Sequence, residues 1–334
     1  MAPSKKGRFP QKPLIVAVLL SIYAAPKIPA LGSAQESPVS PGRLAVDEIS
    51  LPRETRNPQG GPPSGEPSRG ESIMRALSAA YPDRIGEARF VNGDWAVPVG
   101  DALYYYAEGR LLPEELRARF EEYDPHPFYP YAAELPPWKE PGPEEAERFR
   151  DSIQRRRMNP PKRSQLFFDA LWRAGTREEA YDRVKSIRFL GRPVLVHYSI
   201  LEELALAEER ILTEAKTDAQ VRRWISNLGS LSGWNWRNIA ETQSRSFHAY
   251  GAALDLLPVS QRGLATYWLW TAEHNSQWWT VPYEKRLHPP EAVIKAFESY
   301  GFIWGGKWVF FDTMHFEYRP EILILSGMPP SGRR

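Results

Sequence analysis

The stretch SRSFHAYGAALD, residues 244–255, sets His248 and Asp255 seven positions apart with small residues filling most of the gap. Gly251 allows a tight backbone turn between them, and Ala249, Ala252 and Ala253 leave room for close approach. The aspartate falls inside LDLL (254–257), an apolar run of strand character. A carboxylate buried there without a partner would be costly. The sequence therefore asks what stands opposite His248 and Asp255.

A second cluster lies about sixty residues on. Asp312 precedes His315 by three positions and Glu317 follows it by two, in DTMHFE. A hydrolytic zinc site commonly uses three protein ligands and keeps one position open for water. His248, Asp255 and His315 would supply two nitrogens and one oxygen. Asp312 and Glu317 are both carboxylates able to take a proton from water and pass it to a leaving amine. The alternative is structural: a core histidine bonded to a carbonyl, and an aspartate capping a turn. HExxH is absent, so the helical zincin layout is excluded.

Composition narrows the class. The 334 residues carry no cysteine, which excludes disulfides, thiolate catalysis and Cys-ligated zinc. Lys plus Arg total 43 against 41 Asp plus Glu, so nothing points to nucleic acid as a partner. Lys5, Lys6, Arg8 and Lys12 precede an apolar run, Leu14 to Ala25, and Gly32-Ser33-Ala34 offers small residues before Gln35. This is the layout of a secretory signal peptide over residues 1–34. The run is shorter than the ~20 residues of a spanning helix. Export to a periplasm, cell wall or exterior is expected, with no stable membrane span after cleavage.

Residues 35–71 are rich in Pro, Gly, Ser and charge and read as a disordered linker. Helical spacing begins near Ser72 and stops at Pro82. Asn92-Gly93 between extended runs signals a hairpin. Residues 124–143 hold many prolines and aromatics and read as an ordered wrap. Helices are expected at about 143–157, 162–173 and 176–186, in ILEELALAEERILTEA and DAQVRRWISNL, and from Pro290 to Gly301. GRPVLVHYSI, LDLL, KWVFF and MHFEY read as strands. The expected fold is α+β, a small mainly antiparallel sheet with flanking helices, over residues 161–328. Residues 72–160 form an accessory segment packed on it.

Ser246-Phe-His248-Ala-Tyr-Gly251-Ala-Ala253-Leu-Asp255 matches SxHxxGxAxD at every fixed position. That signature resembles the zinc D-alanyl-D-alanine peptidase family, which includes vancomycin-resistance dipeptidases, D,D-carboxypeptidases and phage L-alanyl-D-glutamate endolysins. The family's second signature, an acidic residue three before a ligand histidine, is similar to Asp312-Thr-Met-His315. The resemblance covers roughly residues 190–325. It implies zinc held by His248, Asp255 and His315, with Asp312 as general base. Members with Glu at that position have one more methylene, and Glu317 remains the alternative base or a group orienting a ligand. The family's oxyanion-stabilising arginine falls upstream of the first histidine, on Arg237 or Arg245. Ser246 would bond a ligand carboxylate or the substrate. The implied partner is a peptidoglycan stem peptide. The implied reaction is of the D-alanyl-D-alanine carboxypeptidase type, with L-alanyl-D-glutamate cleavage or a non-catalytic wall-binding protein as alternatives.

Nine of the twelve tryptophans fall between Trp224 and Trp308. They read mainly as core and rim packing, with Trp278 and Trp279 as cleft candidates, one of the pair facing outward if the segment is extended. His197, His274 and His288 lack a paired spacing and read as structural or surface, with His274 a weaker substrate contact. His126 lies in the Pro-rich wrap and reads as non-catalytic.

Overall fold

A computed structural model describes residues 67–331. The signal-peptide assignment and the linker up to residue 66 lie outside the described residues. Helix α1 (Arg69–Ala80) starts three residues before the expected point, because the Ser68 side chain caps it by accepting from Glu71 N–H at 3.1 Å. Strands β1 (Arg89–Val91) and β2 (Asp94–Val99) pair antiparallel across Asn92-Gly93, both with positive φ. The β3 (Ala102–Tyr105) and β4 (Leu112–Pro113) strands complete a four-stranded sheet in sequential order. After β4 the charged stretch EELRARFEE forms a 3-10 segment, Glu114–Glu122, with no buried residue to hold an amphipathic face.

The Pro-rich wrap is ordered by its aromatics. Phe128 and Tyr131 are buried, and Tyr131 O–H donates to Glu298 while accepting from Trp304 N–H. Lys307 Nζ donates to Glu298 and to the carbonyls of Ala132 and Ala133. Four helices follow closely on expectation: α2 (Pro143–Met158), α3 (Leu166–Trp172), and beyond the next hairpin α5 (Leu201–Thr217) and α6 (Ala219–Asn227). The intervening α4 (Arg177–Asp182), with a Thr176/Glu179 capping box, stops four residues early. There the chain enters β5 (Val184–Phe189), which pairs along its length with β6 (Arg192–His197). A turn at Leu190-Gly191, both at positive φ, closes that hairpin and overrides helical spacing.

The sheet that matters for function has the order β7-β8-β10-β9. It is built from β7 (Leu228–Ser232), β8 (Ala253–Pro258), β9 (Phe302–Trp304) and β10 (His315–Tyr318), all antiparallel. Two short helices, α7 (Trp268–Ala272) and α8 (Glu291–Ser299), precede β9, and α9 (Pro320–Leu325) follows β10. KWVFF is not a strand. Gly305–Lys307 forms a 3-10 turn, and Val309, Phe310 and Phe311 all bury into one apolar cluster with Trp268, Trp278 and Trp279 instead of alternating.

α1 packs on α9 and α5 on α8. One apolar core runs from Ile73 and Met74 through Phe167, Trp172 and Leu204 to Phe316 and Ile322, so residues before and after position 160 share it. The described residues are α+β with antiparallel sheets. No helix among them is long and apolar enough to cross a membrane.

Candidate metal centre and its cleft

Ser246 opens a 3-10 turn, Phe247–Tyr250, by accepting from His248 N–H at 3.3 Å. Gly251 closes it at φ 71°, and its N–H donates to His248 O. A Cβ there would also stand 2.8 Å from the His197 backbone nitrogen. Gly251→Ala therefore combines a left-handed penalty of about 1–2 kcal/mol with a backbone clash. It is expected to lower the urea midpoint by at least that equivalent with m unchanged, read by far-UV circular dichroism.

Beyond the turn the chain becomes β8. The register opposite β10 places Asp255 directly across from His315, and residues directly opposed in a sheet keep their side chains close. Three atoms converge. His248 Nε2 lies 3.1 Å from Asp255 Oδ1 and 3.1 Å from His315 Nδ1, and His315 Nδ1 lies 2.9 Å from the same oxygen. His248 and His315 are buried, and Asp255 is partly so.

The far sides of both imidazoles fix their tautomers. His248 Nδ1–H donates to Gly233 O at 2.6 Å, which a carbonyl can only accept. Gly233 fits because a Cβ would meet Leu195 O at 2.1 Å. His315 Nε2–H donates to Glu317 Oε2 at 3.2 Å. With the outer nitrogens so held, the inner nitrogens of both imidazoles face each other and a carboxylate oxygen, the donor set a cation would use in place of a proton. Such a triad is a group that could hold a metal ion. Burial alone would lower the His315 pKa, yet hydrogen bonds to Asp255 and Glu317 outweigh it and raise it to about 10. Burial raises the Asp255 carboxyl, but the two histidines hold it far below its ordinary range. These residues fit a divalent metal with nitrogen and oxygen preferences.

Glu317 sits two residues along β10 from His315, on the same face, as a period-2 strand requires. Both its oxygens are engaged: Oε2 by His315 and Oε1 by Arg319 at 3.3 Å. Arg319 also pairs with Glu321, whose Oε2 accepts from Tyr81 O–H at 2.9 Å. A buried chain thus runs from α1 through Glu321, Arg319 and Glu317 to His315. Asp312 differs. Its Oδ1 is closed from solvent and has no hydrogen-bond partner. Burial pushes its pKa up to about 7, with repulsion from Asp255 adding to it and His315 and a Met314 backbone bond opposing.

A cleft of about 420 Å³ opens onto this centre. Asp255, Asp312, His315 and Glu317 line it, as do Arg237, Arg245 and Ser246. Arg237 is exposed there, its guanidinium bonded only weakly to Asn238 O at 3.4 Å. Arg245 lines the wall but is committed to Asp169 at 2.5 Å and stacked over Trp236. Ser246 caps the His248 turn and does not bond a ligand carboxylate.

Trp278 is a correction. It is 2 % exposed, Trp279 is 6 % exposed, and neither lines the cleft. A 3-10 turn, Trp278–Thr280, replaces the extended run that would have turned one ring outward. Trp268, Trp270 and Trp308 line the cleft instead. His197 is structural, bonded to Trp172 O, and His274 lies away from the cleft.

The sequence reading did not single out Tyr267, Arg156, Arg163 or Ser164, which line the cleft together with His126. Tyr267 bridges Asp312 through the backbone, and burial and the Asp312 charge push its phenol up to about 12. No local spacing announces these residues.

No curated protein and no solved structure matches this chain. A domain of unknown function matches residues 73–128. Residues 240–318, which contain the three converging ligands together with Asp312 and Glu317, match the family model described as D-alanyl-D-alanine carboxypeptidase.

Proposed function

We propose that the protein is an exported zinc peptidase that hydrolyses peptidoglycan stem peptides, of the D-alanyl-D-alanine carboxypeptidase type. The convergence of His248 Nε2, Asp255 Oδ1 and His315 Nδ1 within a region similar to those peptidases carries this reading. Held by these three atoms, zinc would supply Lewis acidity toward a water molecule and toward the scissile amide carbonyl.

The chain's own residues do the rest. Gly233 and Glu317 hold the two imidazoles in the tautomers that leave lone pairs inward. The Asp312 carboxylate takes the proton of the attacking water and returns it to the amide nitrogen as that bond breaks. A carboxyl near neutrality can do both. Asp312 is the better base of the two carboxylates, because both oxygens of Glu317 are already bonded. Arg237, exposed at the cleft, brings a positive charge to the developing oxyanion. Tyr267, Trp270 and Trp308 give the same cleft aromatic walls.

Purified protein, zinc-loaded, is expected to release D-Ala from intact muropeptides, read by mass spectrometry of the digest. Release of a fragment cut at L-Ala-D-Glu would assign the endopeptidase alternative. A muropeptide profile unchanged by the loaded protein removes the peptidase reading and leaves a wall-binding protein.

A further inference from the structure

We propose that His126, Arg163 and Ser164, all outside the matched peptidase region, form a second recognition pocket in the same cleft, which takes a peptide unit bearing both an amide N–H and a free carboxylate. The identification of the ligand as peptide rests on the peptidase reading. The pocket itself rests on its own geometry.

Ser164 is 2 % exposed and lines the cleft, yet its hydroxyl has no hydrogen-bond partner. His126 lines the cleft beside it, with Nε2 closed from solvent and likewise unpartnered. Buried polar atoms are nearly always satisfied, so two orphans on one wall of one cleft need an explanation. Both residues reach the cleft through other atoms. In the proposed complex these two side chains adjust so that each orphan meets the ligand.

The two orphans differ in kind. A backbone hydrogen bond with Ser164 occupies the other His126 nitrogen. Burial, reinforced by the charges of Arg163 and Arg319, lowers the His126 pKa to about 3. The ring is therefore neutral and Nε2 is an acceptor, suited to an amide N–H. Ser164 Oγ offers a donor. Arg163 adds a cation held in place by its own Nε–H bond to Pro125 O at 3.0 Å. An acceptor beside a hydroxyl and a guanidinium matches an amino-acid unit whose nitrogen is acylated and whose α-carboxylate is free. In stem peptides two units have that chemistry: the γ-linked glutamate and the terminal D-Ala.

The pocket is rigidly tied to the metal centre. Ser244, two residues before the Ser246 cap, accepts from Arg163 N–H at 3.2 Å and donates to Pro161 O at 3.1 Å. Arg319 NH2 contacts Pro127 O at 3.5 Å on one side and Glu317 on the other. A ligand could thus span from the three converging atoms past Glu317 and Arg319 to His126.

The test is binding to the full chain, with and without zinc, followed by tryptophan fluorescence and calorimetry. The probes are L-Ala-γ-D-Glu-L-Lys-D-Ala-D-Ala with both free carboxylates, its glutamate α-amide, and its C-terminal amide. Amidating the carboxylate that occupies the pocket is expected to weaken Kd about tenfold, the scale of one charged hydrogen bond. Ser164→Ala and Arg163→Gln should each shrink that ratio to below about threefold, in zinc-free protein as well. Loss through the glutamate amide identifies the internal unit, and loss through the C-terminal amide the terminal one. Ser164→Ala removes a group with no partner in the protein, so its melting temperature should not fall. Arg163→Lys should retain part of the ratio if Arg163→Gln unfolds. Equal binding of all three probes, binding of none, or an unchanged ratio in both variants overturns the proposal. Discriminating binding without cleavage keeps the pocket and removes the peptidase reading. Cleavage without discrimination does the reverse.

Discussion

Replacing His248 by Ala is expected to abolish stoichiometric zinc binding and to lower kcat/KM for D-Ala release by about 10³-fold or more, since Lewis-acid stabilisation contributes several kcal/mol. The geometry explains why one side chain should matter so much. His248 is fully buried, and its Nε2 stands 3.1 Å from both of the other converging atoms. Two donors alone leave His315 and Asp255 free to pair with each other by a proton, as their 2.9 Å separation already permits. Asp312→Asn makes the contrast. It keeps the three donors and the shape of the cleft but cannot accept a proton. It should retain about one zinc while losing 10²–10⁴-fold in kcat. Metal content by atomic absorption and rates on the same preparations separate the two. An Asp312→Asn protein as active as the parent would move the base elsewhere. A His248→Ala protein that keeps both zinc and activity would end the assignment of the site.

Arg319→Met carries the second large effect, on stability. Arg319 is 3 % exposed and lies between Glu317 and Glu321, both buried, with its guanidinium over the rings of Phe247 and Phe168. Removing one member of a buried charge group leaves its partners uncompensated, at about 3–5 kcal/mol. Methionine fills similar volume, so the loss is electrostatic more than a cavity. The pH dependence fixes the sign. In the parent, burial raises the Glu317 pKa, but His315 and Arg319 outweigh it and hold the carboxyl below its ordinary value. Glu317 then contributes stability that is present above pH 4.5 and fades as pH falls. Without Arg319 that carboxyl should rise instead, so the variant gains relative to the parent on acidification. Urea unfolding at pH 7.5 and pH 5 should show the gap between the two proteins narrowing at the lower pH. A parallel fall would mean the arginine is merely packed. Because Glu317 also orients His315, zinc affinity in the variant is expected to drop 10–100-fold, the usual effect of disturbing a group behind a ligand.

Much of the metal centre was legible in the chain because its rules are local. SxHxxGxAxD is a set of instructions for a capped turn, a left-handed glycine and a strand, and each residue performs its local part: Ser246 caps, Gly251 turns, Asp255 enters β8. The period of two along β10 alone makes Glu317 a companion of His315 on one face. The choice between Asp312 and Glu317 was not legible. Both are carboxylates within three residues of the same histidine, and what separates them is a partner, Arg319, for one and none at Oδ1 for the other. The engagement of Arg245 was not legible for the same reason: its Asp169 partner lies 76 residues away.

Sequence alone determined the α+β class, the antiparallel strands β8 and β10, most helices and the residues with metal-binding chemistry. Those follow from backbone conformation, side-chain period and donor type, all encoded within a few positions. Tertiary structure decided the rest. It turned KWVFF from a strand into a buried loop, sank Trp278 into an apolar cluster and brought Tyr81 into a buried chain of groups ending at His315. It also set His126 and Ser164 on the wall of a cleft whose candidate metal ligands begin over eighty positions later. Burial, pairing and the tautomer of an imidazole depend on which distant segments close around a residue, and no local spacing contains that information.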